Sequence, residues 1–369
     1  MAKPISFARG APSPDIIDID GLRAAAQSAF TNDPAGATAY GTAIGYVPLR
    51  NWIAERHQVD PQQVIVTNGS LQADAFLFDV LVEPGDSVIV ERPTYDRTLL
   101  SLRNRGADVR AVQLESDGID VAALERVLRA GAQPKLAHII PNFQNPAGYT
   151  LSASKRERLI ELARTNEFTI FEDDPYIALR FDGPPLATMH SLDPETVVYA
   201  SSFSKTICPG IRVGYLVGPA ELIARVTKLA TNTYISPSMV SQSIVYEFCQ
   251  SGALERSIEM VKQALRERSQ ALIEALQREL PDARFVEPEG GYFVWIDLPR
   301  GTDVGALFEA AAARNVQFVK GADFVLEGAD SSLRLAYAGV TPAEIKEGVA
   351  RLAEAYAELR GEAAKADAA

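Results

Sequence analysis

Cysteine is nearly absent: Cys208 and Cys249 are the only two in 369 residues. That excludes a disulfide framework and a cysteine zinc site. Histidine is as sparse, and His57, His138 and His190 show no metal-ligand spacing, so each reads as a surface or packed residue and no metal is expected. Positive charge is in deficit, with 36 Lys and Arg against 48 Asp and Glu and a net charge of -12. Such a balance argues against binding to phosphate backbones or anionic membranes, which want a basic face, and leaves room for small anions held by local arginines. No apolar run approaches the length of a membrane span. The opening "MAKPISFARGAPSPD" has no basic segment followed by an apolar stretch, so no secretory signal is read and a cytoplasmic protein is expected. Neither an internal repeat nor a low-complexity linker interrupts the chain.

What is present is an ordinary globular composition, 47% hydrophobic and 23% charged, in a length that suggests two domains. From about residue 60, short β-branched runs alternate with helical patterns. The runs are "VIVT" (64–67), "SVIV" (87–90), "LAHII" (136–140), "FTIF" (168–171), "TVVYA" (196–200) and "VGYLVG" (213–218). Continuous apolar runs bounded by Gly, Pro and Asn predict strands buried on both faces, hence an α/β protein with a mostly parallel sheet. In "SASKRERLIELARTNE", Ser154 and Glu157 predict a capping box, with Leu159, Leu162 and Ala163 on one face. A long helical stretch interrupted by "CQSG" runs to Pro281. Beyond it a smaller set of strands and helices closes with an amphipathic helix over 342–359.

In an open α/β sheet, ligands gather at the carboxyl ends of the strands. Each apolar run is succeeded by polar residues that suit one. "NGSLQ" sets the amides of Ser70 and Leu71 at a helix start behind Gly69, as a phosphate requires. "ERPTYDR" puts Tyr95 at a strand end, where its ring stacks on a planar ligand or packs in the core. "PNFQNPAG" holds Asn145 in a turn. "EDDPY" ends a buried strand in three acids, whose charge needs cations or several donors. "SSFSK" brings Lys205, an amine that can condense with an aldehyde when its surroundings strip its proton. Arg212 in "TICPGIR", with Ser202 and Ser204, could fork a phosphate. A phosphorylated, planar, cationic aldehyde satisfies all of these groups, and pyridoxal phosphate is that molecule.

Together "SSFSKTICPGIRVGY", "PNFQNPAG", "EDDPY", "TNGSLQ", "ERPTY" and "YGTAIGYVPLR" resemble the class I and II aminotransferases of the fold type I pyridoxal phosphate superfamily. The most similar subgroup holds the aminoadipate and aromatic aminotransferases and the aminotransferase-like domain of MocR-type regulators. The resemblance covers almost the whole chain and implies a large domain with a mostly parallel seven-stranded-type sheet between helices, plus a smaller α+β domain. Residues 36–280 would form the large domain, and 1–35 with 281–369 the small domain and a pocket-lining N-terminal segment.

The resemblance also implies roles. Lys205 would carry the cofactor covalently and move the proton. Asp173 would pair with the ring nitrogen, and Asn145 and Tyr176 with the phenolic oxygen. Tyr95 would stack on the ring. The amides of Ser70 and Leu71, with Ser202, Ser204 and Arg212, would hold the phosphate. Tyr40 would reach a neighbouring subunit's phosphate, which implies a homodimer, and Arg334 in "SSLRLAYA" would grip the substrate α-carboxylate.

The subgroup usually shows a glycine pair near the N-terminus, where this chain has Arg9 and Gly10. Both are expected at the substrate pocket, with Arg9 either meeting an acidic side chain or facing solvent. The activity implied is ping-pong transamination between an L-amino acid and a 2-oxo acid such as 2-oxoglutarate. Cyclase, elimination or decarboxylation on the same cofactor remains an alternative, as does a non-catalytic ligand sensor. The sensor reading is weakened because the aminotransferase pattern begins within the first ten residues, leaving no room for a DNA-reading module.

Overall fold

The computed structural model describes residues 3–367. Among the described residues thirteen strands occur in chain order: β1 Ile5–Ser6, β2 Val64–Thr67, β3 Ser87–Arg92, β4 Asp108–Glu115, β5 Gly118–Ile119, β6 Pro134–Ile139, β7 Thr169–Asp173, β8 Val197–Ser202, β9 Gly214–Val217, β10 Phe293–Asp297, β11 Val316–Gln317, β12 Val319–Lys320 and β13 Ser332–Ala336. Every apolar run singled out in the sequence overlaps one of them, extending past it by no more than a residue at either end. β4 is not among those runs, because next to the sheet's edge half of its residues are polar and Arg110, Gln113 and Glu115 are exposed. β-branched side chains favour these pleated surfaces, and β2, β8 and β9 are buried at every position.

The large sheet runs β2-β9-β8-β7-β6-β3-β4-β5. Its seven main strands carry a two-residue edge strand, β5, antiparallel to β4. The pairings β4/β3, β3/β6, β6/β7 and β7/β8 are parallel, and β9 alone runs against both neighbours. The order turns back between β3 and β6, a topological switch point of the kind that opens a ligand crevice at the strands' carboxyl ends. Separate buried clusters cover the two faces, one around Phe78, Phe171 and Leu216 and the other around Ile89, Ile139 and Leu159.

A second core surrounds the three-stranded sheet β10-β13-β12. Ile5, Phe7 and Ile16 join it, and β1 pairs in parallel with β11. Helix Ile19–Asn32 instead lays Ala25 and Leu22 on the large-sheet side. Helix Ala253–Glu279 serves both cores: Ala253 and Leu254 pack with the large sheet, Val261 through Leu276 with the small one. Boundaries drawn after residues 35 and 280 therefore cut across the packing at both places.

The expected capping box is not formed. Helix Ala153–Thr165 starts earlier than that pattern requires, with Ser152 as N-cap, and the Ser152 hydroxyl donates to Asp117 instead of accepting from the helix. Among the described residues no helix is long and apolar enough to cross a membrane.

Candidate active site

The carboxyl ends of β3, β6, β7 and β8 open into a cavity of about 330 Å³, near the lower end of ordinary ligand pockets. It gathers Gly10, Ser70, Leu71, Tyr95, Asn145, Asp173, Tyr176, Ser202, Ser204, Lys205, Arg212 and Arg334. All the anticipated site residues are thus together except Tyr40 and Arg9. Tyr40 is 90% exposed and borders a shallow depression with Ser236 and Met239. Arg9 is exposed, while its neighbour Gly10 lies so close to Phe293 that a Cβ would come within 2.6 Å of the ring. In the single chain Arg9 does not line the cavity.

Lys205 comes after β8 on a turn tied back by Tyr292, whose hydroxyl donates to the Lys205 carbonyl at 2.9 Å. Its Nζ donates to the Gly10 carbonyl at 2.7 Å. Burial, then the positive charges of Arg334 and Arg212, push its amine down to about 8. A sizeable neutral fraction therefore exists near neutral pH, as attack on an aldehyde requires.

Side chains alternate along β7, so the three acids divide between two faces. Asp173 turns into the cavity. Its Oδ2 lies 3.6 Å from His138 Nε2, while Oδ1 is buried and has no hydrogen-bond partner among the described residues. Glu172 and Asp174 turn away. Glu172 accepts from the amides of Met189 and His190, both at 2.8 Å, and Asp174 accepts from Asn142 Nδ2 at 2.7 Å. The buried Arg156 binds the carbonyls of Leu151, Ala187 and Pro141 and the Asn142 Oδ1. These contacts fix the floor under Asp173: Glu172 has two amide donors, whereas Asp174 has one and keeps Oδ1 without a partner among the described residues, and burial pushes its carboxyl well above the usual range.

Asn145 sits in a turn braced from beneath. Glu91 accepts from the Ile140 amide at 3.0 Å and from Gln144 Nε2 at 3.1 Å, and Gln144 Oε1 accepts from the Ala147 amide. Asn145 Oδ1 in turn accepts from Arg334. Arg334, on β13 of the small sheet, is stacked between Phe293 and Phe324, with its guanidinium carbon 4.5 and 4.8 Å from their centroids. It also donates to the Ala8 carbonyl at 2.6 Å, and burial pushes it down to about 10.

The opposite end of the cavity is a cup for an anion. Helix Ser70–Leu81 begins at Gly69 with no side chain capping its first amides. Arg212 stands over that turn, donating to Ser204 Oγ and to the Asn68 carbonyl, both at 3.2 Å. Gly69, at φ +85°, leaves the space: a Cβ there would lie 2.2 Å from Arg212 Nη2. The Ser202 hydroxyl is spent on the Val213 carbonyl, whereas Ser204 keeps a free donor.

Several lining or supporting residues carry little signal in the sequence. His138 backs Asp173, yet in the sequence it reads only as a surface or packed residue; a lone polar residue inside the run "LAHII" is its signal. Asp96 and Arg97 line the mouth and have no mark of their own in "ERPTYDR". Phe293 walls the cavity without any sequence mark beyond its hydrophobicity. Among the described residues no His, Cys, Asp and Glu cluster could hold a metal ion.

An amine lowered to about 8, an orphaned buried carboxylate oxygen and a glycine cup under an arginine together fit pyridoxal 5′-phosphate. They define a pyridoxal phosphate enzyme. Comparison with known proteins agrees: the model of the family "Aminotransferase class I and II" matches residues 4–352. An aromatic-amino-acid aminotransferase of Thermococcus litoralis is 33% identical, covering 96% of this chain and 88% of its own length. A 2-aminoadipate transaminase of Thermus thermophilus is 34% identical over 95% and 89%. The crystal structure of an α-aminoadipate aminotransferase from Thermus thermophilus, complexed with N-(5′-phosphopyridoxyl)-L-leucine, superposes with a TM-score of 0.93 at 33% identity, covering 97% and 93%. The chain belongs to the class I and II aminotransferases. It is a pyridoxal phosphate-dependent enzyme that moves an amino group between an amino acid and a 2-oxo acid.

Proposed function

We propose that the enzyme transaminates L-amino acids of the aminoadipate, glutamate or aromatic kind, with 2-oxoglutarate as acceptor, in a two-stage exchange at one site. The observation that carries this reading is the placement of Arg334 in the cavity of Lys205, with Nε unpartnered and the aromatic stack fixing its plane. A planar fork held in this way suits a carboxylate bidentately. The names of the similar enzymes support the substrate class.

Each residue then has a task. Arg334 orients the substrate by its α-carboxylate. Lys205 Nζ removes the proton from the substrate Cα and returns it later in the exchange, which a group near 8 does in both directions. Asp173, with His138 behind it, would pair with the ring nitrogen and keep it protonated, while Asn145 and Tyr176 would donate to the phenolic oxygen. Tyr95 stacks on the ring. The Ser70 and Leu71 amides, Ser204 and Arg212 would hold the phosphate, and Ser202, its hydroxyl committed to the Val213 carbonyl, supports them by accepting from the Ser204 amide. Gly10 borders the substrate pocket. The cofactor, when bound, supplies the aldehyde that receives the amino group and the ring that accepts the electron pair.

Tyr40 lies too far out on the surface to serve its own cavity, and we assign it to the phosphate of a second copy in a homodimer. Exposed Ile19, Phe30, Val47 and Ile235 offer apolar area for that contact. Cys208 and Cys249 are unpaired, in keeping with work in the cytoplasm.

The test is a panel of amino donors mixed singly with the holoenzyme, with Lys205→Ala as blank. Loss of the bound aldehyde's absorbance and release of the matching 2-oxo acid are expected. Release of carbon dioxide or ammonia instead would move the enzyme to another chemistry on the same cofactor.

A further inference from the structure

The charged groups around the cavity do not all have tasks. Arg212 matches a phosphate, Arg334 an α-carboxylate, Asp173 the ring nitrogen and Lys205 the aldehyde. Two lining residues remain, Asp96 and Arg97. They open helix Asp96–Asn104 directly after Tyr95. A helix start carries partial positive charge, so Asp96 suits its place and Arg97 does not. Helix stability gives no reason for an arginine here.

Nothing holds Arg97 firmly. Its contact with Asp96 is 3.5 Å, between side chains 56% and 37% exposed, an ion pair that water and salt reduce to little net worth. The fork is therefore available to a better anion at the mouth. The same helix start lies near the substrate clamp: Asp96 is close enough for its carboxylate to favour the charge of Arg334. Arg9, the other arginine proposed from sequence for an acidic side chain, faces solvent.

We infer that Arg97 is the receptor for a second, distal carboxylate, which makes dicarboxylic amino acids and dicarboxylic 2-oxo acids the preferred substrates. Because both stages use one cavity, a single arginine then serves the acidic donor and the acceptor. Substrates with apolar side chains leave Arg97 on Asp96. This inference rests on Arg334 gripping the α-carboxylate, as proposed above.

The experiment compares binding of glutarate and of valerate, acids of equal length with two carboxylates and one, to the holoenzyme by the shift in cofactor absorbance. The same ratio is read in turnover as kcat/KM for glutamate over that for leucine. Arg97→Ala should lower the glutarate-to-valerate affinity ratio roughly 10- to 100-fold, the loss of a charge-assisted pair. Arg97→Lys should recover part of it, and Arg9→Ala should leave it unchanged. A ratio unmoved by Arg97→Ala, or moved instead by Arg9→Ala, overturns the assignment. The two readings fail separately: a wild-type enzyme that transaminates no donor sinks the function, while the binding ratio alone decides Arg97.

Discussion

Arg334 Nη1 stands 2.9 Å from Asn145 Oδ1, joining the small sheet to the turn after β6 across the ligand cavity. The residue proposed to grip the substrate's α-carboxylate and the one proposed for the cofactor's phenolic oxygen are therefore one hydrogen-bonded unit. Arg334→Lys keeps the charge but cannot make the Asn145 and Ala8 contacts and also offer a fork. With about 1.5–3 kcal/mol for hydrogen bonds to a charged group, kcat/KM for every amino donor should fall roughly 10- to 150-fold. Steady-state kinetics on two unrelated donors checks it, and a loss confined to one donor would contradict a common α-carboxylate grip.

Lys205 should show its lowered basicity directly. In the cofactor-free enzyme, the rate at which added pyridoxal phosphate is captured and then fixed by borohydride should rise with pH and level off above about 8. Arg334→Met removes a cation that disfavours the ammonium form, so the same profile should move to higher pH. A rate independent of pH across this range would remove the electrostatic account.

Glu91 carries a pH-dependent stability. Burial, only partly offset by its two donors, pushes its carboxyl up to about 8 from an ordinary 4.5. Between those values the folded chain holds a proton that the unfolded chain has lost. The contribution is full below about 4.5 and disappears as pH rises through about 8. Glu91→Gln keeps an oxygen for Ile140 and Gln144 without the charge. Its melting temperature should gain on the wild type as pH is raised, and parallel curves in thermal melts would exclude this origin.

Gly69 and Gly131 both have positive φ, +85° and +97°, but only Gly69 has a neighbour that a Cβ would strike. Alanine at either should cost about 1 kcal/mol of stability through backbone strain. Only Gly69→Ala should also displace Arg212 and weaken cofactor retention by more than about tenfold, the loss of one charge-assisted contact. Equilibrium dialysis of both variants separates strain from contact; equal retention would mean that the cup does not depend on this spacing.

Tyr40 lies on the open surface of the single chain, so a variant there should be silent unless a second copy is present. Tyr40→Ala is expected to weaken cofactor retention while light scattering still reports a dimer. Full retention, or a wild-type enzyme that is monomeric at working concentration, would withdraw the assignment across the interface.

The chemistry at strand ends is legible because buried parallel strands are continuous apolar runs, and the residues just past each run are forced to the same edge of the sheet. Lys205, Asp173, Asn145 and Tyr95 are placed in that way. The features that the sequence hides share a physical cause. β4, one strand in from the sheet's edge, is only half-buried over its first residues and alternates buried and exposed over its last four, so it looks like neither a buried strand nor a helix. Asp96 and Arg97 become visible only once Tyr95 is fixed as the residue before a helix, because their facing depends on where that helix begins. Arg9 is a pocket candidate by its position next to Gly10, yet it is exposed in the single chain while Gly10 packs on Phe293, a difference between adjacent residues that no sequence pattern marks. The capping pattern at Ser154 fails by a similar margin, since helix starts shift by a residue or two with tertiary contacts such as Ser152 to Asp117.

Lys205 and Arg334 lean on carbonyls two positions apart in the N-terminal segment, those of Gly10 and Ala8. The reactive amine and the grip are thereby yoked to one short length of main chain. Deleting a single residue between those carbonyls would set the two out of step. Turnover and affinity would then have to be repaired by separate compensating changes, which leaves little freedom for drift in this stretch.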